Sequence, residues 1–239
     1  MPSKYARIDK LIAQTLQVSK KSVRQLVAAK RIFLNDTLCE RVDTIIGPFD
    51  KVQVDEKVLP YHTAQYWMLH KPAGVVSATK DSEHTTAVSL LPPSASTNLH
   101  IAGRLDLNST GLLLLTNDGR WSKALSDASN QVTKRYQVEL KEPLDERYVE
   151  AFHKGMYFSY EDMTTAPAEL IILSTHRAEV ILTEGRYHQI KRMFGRFRNQ
   201  VISLHRSEIG NLALCPSLAQ GQSRALREDE LQQLSHLLK

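Results

Sequence analysis

His100-Ile101-Ala102-Gly103-Arg104-Leu105-Asp106-Leu107-Asn108-Ser109-Thr110-Gly111-Leu112-Leu113-Leu114-Leu115-Thr116-Asn117-Asp118-Gly119 is the stretch around which the chain is organised. A polar cluster leads to Gly111, a run of leucines follows at 112–115, and Asn117-Asp118-Gly119 marks a tight turn. A short apolar run bounded by turn signals reads as a buried strand, here 112–116. Asp106 therefore stands in a loop just before a rigid central strand. Such a scaffold can hold a carboxylate in place for chemistry. The plainer alternative is a local turn bond from Asp106 to a nearby N–H, a common habit of loop aspartates.

Outward from that strand, most apolar segments are short and joined by turns. Residues 66–69 read as a strand, Lys71-Pro72-Ala73-Gly74 as a turn, and 75–77 as extended chain. A short helix is expected over 119–126, and 134–140 alternates as a strand. Leu144, Tyr148, Val149 and Phe152 share one helical face over 144–154, with Asp145 near the start and Gly155 just beyond. Residues 168–173 and 178–183 pair as strands. A basic helix over 187–198, strands at 201–204, 212–214 and 224–226, and a helix from Glu228 complete the pattern. Residues 91–97 form a Pro/Ser loop expected to be mobile. Few helices separate the strands, so the fold class is α+β with a mixed, largely antiparallel sheet.

The front of the chain differs. Ile8, Leu11, Ile12 and Leu16 recur at helical spacing, and Ser19 can cap a second helix carrying Val23, Leu26 and Val27. Strands follow at 32–34, 37–39 and 52–54, so residues 1–59 make a small domain, 60–64 a linker, and 65–239 a larger domain. A chain of 239 residues buries about 70–75% of its unfolded surface, enough for one or two domains. No apolar run nears the ~18 residues of a membrane span. The N-terminus lacks a signal-peptide pattern. Cys39 and Cys215 lie far apart without metal-type spacing, which points to free thiols in a reducing, cytoplasmic setting.

Net charge is only +5, but its distribution is uneven. Lys4, Arg7, Lys10, Lys20, Lys21, Arg24, Lys30 and Arg31 face only Asp9 within 1–31; Arg186, Lys191, Arg192, Arg196, Arg198 and Arg206 face no acid within 186–206. Two basic islands on an otherwise acidic chain are the footprint expected for nucleic-acid binding. In the second island, Ile190, Met193, Phe194 and Phe197 can face the core. Lys191 and Arg192 cannot both follow them, so one could pair with an acid in a cleft. Tyr136 is a further candidate, as a cleft aromatic or as a core residue of its strand.

These motifs carry two resemblances. Residues 7–13, 18–27 and 30–35 resemble an S4-type RNA-binding domain, departing from it at Ala29 and at Lys20-Lys21 without loss of positive charge. That implies phosphate contacts from Arg7, Lys10, Lys20, Lys21, Arg24, Lys30 and Arg31. The stretch 100–106 with 110–119, Lys71-Pro72-Ala73-Gly74, Lys134-Arg135-Tyr136 and 185–194 resemble the RsuA/Rlu-type RNA pseudouridine synthases, in the family's order. The run 186–194 is similar to the branch acting on 16S rRNA, at uridine 516 in the usual rRNA numbering.

The resemblance implies that Asp106 is the catalytic carboxylate and that Tyr136 stacks on the uracil or contacts the sugar. Lys191 is implied as the basic partner, with Arg192 as second choice, and Arg104 and Arg186 as substrate-binding residues. It also implies action on 16S rRNA, alone or in a partly assembled small subunit; a single-chain site makes a monomer the default, and no membrane partner is expected. The isomerisation is redox-neutral, and the sequence lacks phosphate-cradling Gly loops and metal-type His spacing, so no cofactor and no metal are expected. A large-subunit rRNA target, or a non-catalytic rRNA-binding factor of the same fold, are the competing readings.

Overall fold

Apolar spacing builds the first of two units, Met1–Ala64 and Gln65–Lys239. The computed structural model describes residues 6–60, 63–95 and 98–234. Lys4, the linker residues Tyr61 and His62, and Ser96-Thr97 of the Pro/Ser loop lie outside the described residues.

In the first unit β1 (Ala6–Arg7) leads into α1 (Ile8–Leu16) and α2 (Lys20–Ala28). Ile8 and Ile12, one helical turn apart, are fully buried, as is Val23 of α2. The Ser19 hydroxyl caps α2 by accepting the Ser22 N–H at 3.1 Å. Then come β2 (Ile32–Leu34), β3 (Thr37–Leu38), β4 (Ile45–Ile46), β5 (Val52–Val54) and β6 (Lys57–Val58). Asn35 and Asp36 both take left-handed backbone, as the tight β2–β3 hairpin requires. The sheet runs β3-β2-β5-β6, and β1 pairs separately with β4. Its core ends at buried Leu59. The two-residue strands β1, β4 and β6 are too short to show periodicity in the sequence.

The second unit holds β7 (Tyr66–Lys71), β8 (His100–Ala102), β9 (Thr110–Thr116), α3 (Gly119–Ser126), β10 (Lys134–Leu140), α4 (Glu146–Lys154), β11 (Tyr157–Phe158), β12 (Met163–Thr164), β13 (Glu169–Ser174) and β14 (Arg177–Leu182). It continues through α5 (Gln189–Gly195), β15 (Val201–Ile209), β16 (Leu212–Ala213), β17 (Ser223–Ala225) and α6 (Glu228–Leu234). The main sheet runs β13-β14-β10-β15-β9-β7-β17, with β8 on β9 and β16 on β15. All pairings in it are antiparallel except β9 with β15. Among the described residues no helix is long and apolar enough to cross a membrane.

The leucine run is explained by burial on both faces. Leu113 and Leu115 join a core with Tyr136, Val138, Phe152 and Phe194. Leu112 and Leu114 join another with Met68, Trp121, Leu125 and Ile209. A strand covered on both sides shows a continuous apolar run instead of alternation. One edge of β9 pairs with β7 along residues 111–116. The other edge is shared: β15 takes Thr110 and Gly111, and β8 takes 114–116. The segment 103–109 leaves β8 and enters β9 at that division.

Residues 75–77, expected as extended chain, make one isolated bridge from Val76 to Thr86. Several expectations are corrected. The basic helix spans Gln189–Gly195 rather than 187–198: His188, in left-handed backbone (φ 50°), stands at its N-terminus, and 196–198 form a turn in which Arg198 is also left-handed (φ 56°). The strand expected at 201–204 extends to Ile209. Strand β8 and the β11–β12 hairpin were not expected.

Gly111 is fixed by this topology. Its φ is +109°, and a Cβ there would lie 2.2 Å from the Arg206 carbonyl oxygen. Gly111→Ala is predicted to destabilise the fold by about 2–5 kcal/mol, from backbone strain plus overpacking. A urea midpoint matching wild type would show that β9 and β15 do not approach this closely.

Candidate active site

The loop 103–109 carries Asp106, and most of its carbonyls are held by hydrogen bonds. Arg206, only 2% exposed, sits on β15 opposite Tyr136 of β10. Its guanidinium donates to Gly103 O at 2.9 Å, Leu112 O at 2.9 Å and Arg104 O at 3.4 Å. It also reaches the Tyr136 hydroxyl at 3.4 Å. The Ser77 hydroxyl donates to Leu105 O at 2.6 Å and accepts the Leu105 N–H at 3.0 Å. Asp106 O accepts the Ser109 N–H. Fully buried Lys71 donates to Pro72 O, Leu107 O and Ser109 O at 2.9, 3.0 and 2.7 Å. Burial lowers the Lys71 pKa to about 8; Asp106 opposes that shift, while Arg206 and Lys191 add to it.

With the backbone so held, the Asp106 carboxylate meets side chains from the α5 region. Lys191 Nζ lies 3.0 Å from Oδ2, and His188 Nε2 lies 3.5 Å from Oδ1. A local turn bond is thus not the carboxylate's main engagement. Ile190, Met193 and Phe194 are buried and anchor α5, which turns half-buried Lys191 toward Asp106. The turn before α5 is held by buried Glu184. Its carboxylate accepts from Gln189 at 2.6 Å, Arg186 Nε at 3.0 Å and the Ala166 N–H at 3.0 Å.

A small open cleft of about 80 Å³ lies over Asp106. Arg104, Tyr136, Arg186 and His188 line it, with Leu182, Ile190 and Leu204 as apolar wall. Tyr136 is 8% exposed, so its ring serves the core and the cleft together. A carboxylate beside an ammonium, with an aromatic ring and an apolar wall, can act as nucleophile or base on a planar heterocycle held on the ring.

Arg192 is placed elsewhere. Its guanidinium pairs with Glu161 at 2.5 Å and lies 3.8 Å over the Phe158 ring. The β11–β12 hairpin claims it, and Lys191 is the cation at Asp106. The second basic island therefore contributes less free charge than its composition implied. Arg206 is buried, and Arg186, Lys191 and Arg192 each have an acidic partner. Arg196 and Arg198 remain exposed.

In the first unit Arg7 pairs with Asp9 and Arg31 with Asp55. Lys10, Lys20, Lys21, Arg24 and Lys30 are exposed and make no salt bridge among the described residues. Sequence reasoning missed Lys71, Ser77, His188 and Arg206 as residues organising the Asp106 site. Lys71 sits in a quoted motif, but neither its burial nor that of Arg206 is visible in residue type. No group of His, Cys, Asp and Glu suited to a metal occurs among the described residues.

Residues 65–195 match the sequence profile of a family described as RNA pseudouridylate synthase. The ribosomal small subunit pseudouridine synthase A of Pseudomonas aeruginosa is 42% identical over 94% of this chain and 98% of its own length. The Escherichia coli enzyme of the same name is 36% identical over 94% of this chain and 98% of its own length. A crystal structure of a pseudouridylate synthase, 33% identical, superposes with a TM-score of 0.69 over 95% of this chain and 99% of that one.

The buried ammonium gives a pH test. Lys71 titrates near 8 in the fold against an ordinary value of 10.5. Between those values the unfolded chain holds the proton and the folded chain has released it. Unfolding free energy therefore rises with pH, by at most about 1.4 kcal/mol per pH unit for this group. Lys134, also lowered to about 8 by burial, adds a similar rise. Lys71→Met should remove the Lys71 share in urea titrations from pH 8 to 10. A slope equal to wild type would contradict this placement of Lys71.

Proposed function

The chain belongs to the RNA pseudouridylate synthase family, and we propose that it isomerises one uridine of 16S rRNA, uridine 516 in the usual rRNA numbering. The observation that carries the reading is the Asp106–Lys191 pair at 3.0 Å under a tyrosine-walled cleft. Relatives named for the small ribosomal subunit, matched along nearly the whole chain, support the choice of RNA.

The reaction breaks the N1–C1′ bond, turns the uracil, and rejoins it through C5. Asp106 opens the sequence as nucleophile or base; C1′, C6 and the C2′ proton are the three positions a carboxylate can engage. Lys191 orients and counters its charge. The target base leaves its stack to enter the cleft, at a cost of a few kcal/mol. Stacking on Tyr136 returns about 1–3 kcal/mol. Arg104 and Arg186, at the cleft wall, contact phosphates beside the extruded nucleotide. Neither oxidant nor reductant is consumed, so the chemistry calls for no redox cofactor.

The 1–64 unit is read as an S4-like grip on the RNA. Its support is the cluster of Lys20, Lys21 and Arg24 on the solvent side of α2, with Lys10 and Lys30 also exposed. Such cations position RNA without reading its sequence. The described catalytic side chains all come from one chain, so a monomer suffices. The unpaired thiols of Cys39 and Cys215 suit a reducing cytoplasm.

Incubation of the purified protein with 16S rRNA, deproteinised or in partly assembled subunits, should yield one pseudouridine at position 516 by chemical mapping. Its loss from a deletion strain should match. Product confined to 23S rRNA would overturn the choice of RNA. No product on any ribosomal RNA would overturn the reaction.

A further inference from the structure

One aromatic beside the cleft-lining His188 is not used by the chemistry described above. Tyr187 is 73% exposed, yet its ring is held in place. It stacks on His188, with ring centroids 3.9 Å apart and planes 20° from parallel. His188 in turn lies 3.5 Å from Asp106 and lines the cleft. The two rings make a short stack that starts at the carboxylate and ends in solvent.

The backbone is built to present it. His188 has φ 50°, a conformation uncommon for residues with a side chain. The Glu184–Gln189–Arg186 network fixes the turn on which both rings stand.

Extruding a uridine from RNA unstacks its neighbours as well as the target base. A flanking base is thereby left with an open face close to the cleft. We propose that Tyr187, backed by His188, is a stacking platform for the base of a nucleotide flanking the target uridine. This subsite is distinct from the Tyr136 position assigned to the target base. The proposal rests on the reading that the substrate is an RNA uridine. Stacking on a tyrosine face tolerates any base, so the platform supplies affinity and register instead of a sequence code.

The test uses the full chain and an RNA fragment containing the target uridine, with 2-aminopurine at its 5′ or 3′ neighbour. Stacking quenches 2-aminopurine. At one of the two positions, the Tyr187→Ala complex should be at least about twofold brighter than the wild-type and Tyr187→Phe complexes. In turnover, Tyr187→Ala should raise KM about 5- to 140-fold, the factor expected for one lost base stack of about 1–3 kcal/mol. The fall in kcat should stay below about threefold, and Tyr187→Phe should restore KM. Equal brightness at both positions with unchanged KM would overturn the platform. A fall in kcat at constant KM would also overturn it, by placing Tyr187 in the chemistry. The fluorescence arm reads binding alone, so wild-type protein that quenches without forming pseudouridine would refute the proposed reaction and leave the platform standing.

Discussion

The segment 103–109 is held by two cations withdrawn from solvent, which supply donors to four of its carbonyls. Arg206 takes Gly103 and Arg104, and Lys71 takes Leu107 and Ser109. Burying charge is costly unless every donor is used. Here the donors are spent on backbone, which is what makes the loop rigid. Arg206 also ties the loop to Leu112 of β9 and to the Tyr136 hydroxyl. Carboxylate, strand and tyrosine are therefore registered to one guanidinium. Gly111 completes the arrangement, because only a residue without Cβ lets β15 approach β9 at that point.

The same constraint accounts for what could be read in the sequence. The leucine run announced a strand buried on both faces, and turn signals on each side announced a loop carrying Asp106. Helix α3 and strand β10 fall on their expected residues because their periodicity is strong. The end of α5 was misjudged because Tyr187, His188 and Arg198 continue a helical pattern in composition. Left-handed backbone at His188 and the turn at 196–198 interrupt it, and composition does not carry dihedral angles. Strand β8 was missed because its three residues run straight into the polar cluster that reads as loop.

Charge was the least legible feature. A run of cations reads as a surface for polyanions, yet in 186–206 most of them have work inside the protein. Arg206 holds backbone, Lys191 faces Asp106, and Arg192 is tied to Glu161 of the β11–β12 hairpin. Lys191 and Arg192 are neighbours in sequence and point to different partners because a helix turns about 100° per residue. Buried Ile190, Met193 and Phe194 fix which of the two faces the cleft. In 1–31 the pairing of Arg7 and Arg31 with acids likewise leaves Lys10, Lys20, Lys21, Arg24 and Lys30 as the exposed cations without a salt bridge among the described residues.

All of this geometry converges on one carboxylate. The most direct measurement is single-turnover pseudouridine formation by Asp106→Asn, with RNA affinity measured on the same protein. The carboxamide keeps the shape of the site and removes the charge. A rate loss of at least about 10³-fold, in the range seen when a residue essential to the chemistry is removed, is predicted, with affinity within about threefold of wild type. A rate within tenfold of wild type would contradict a catalytic role for Asp106.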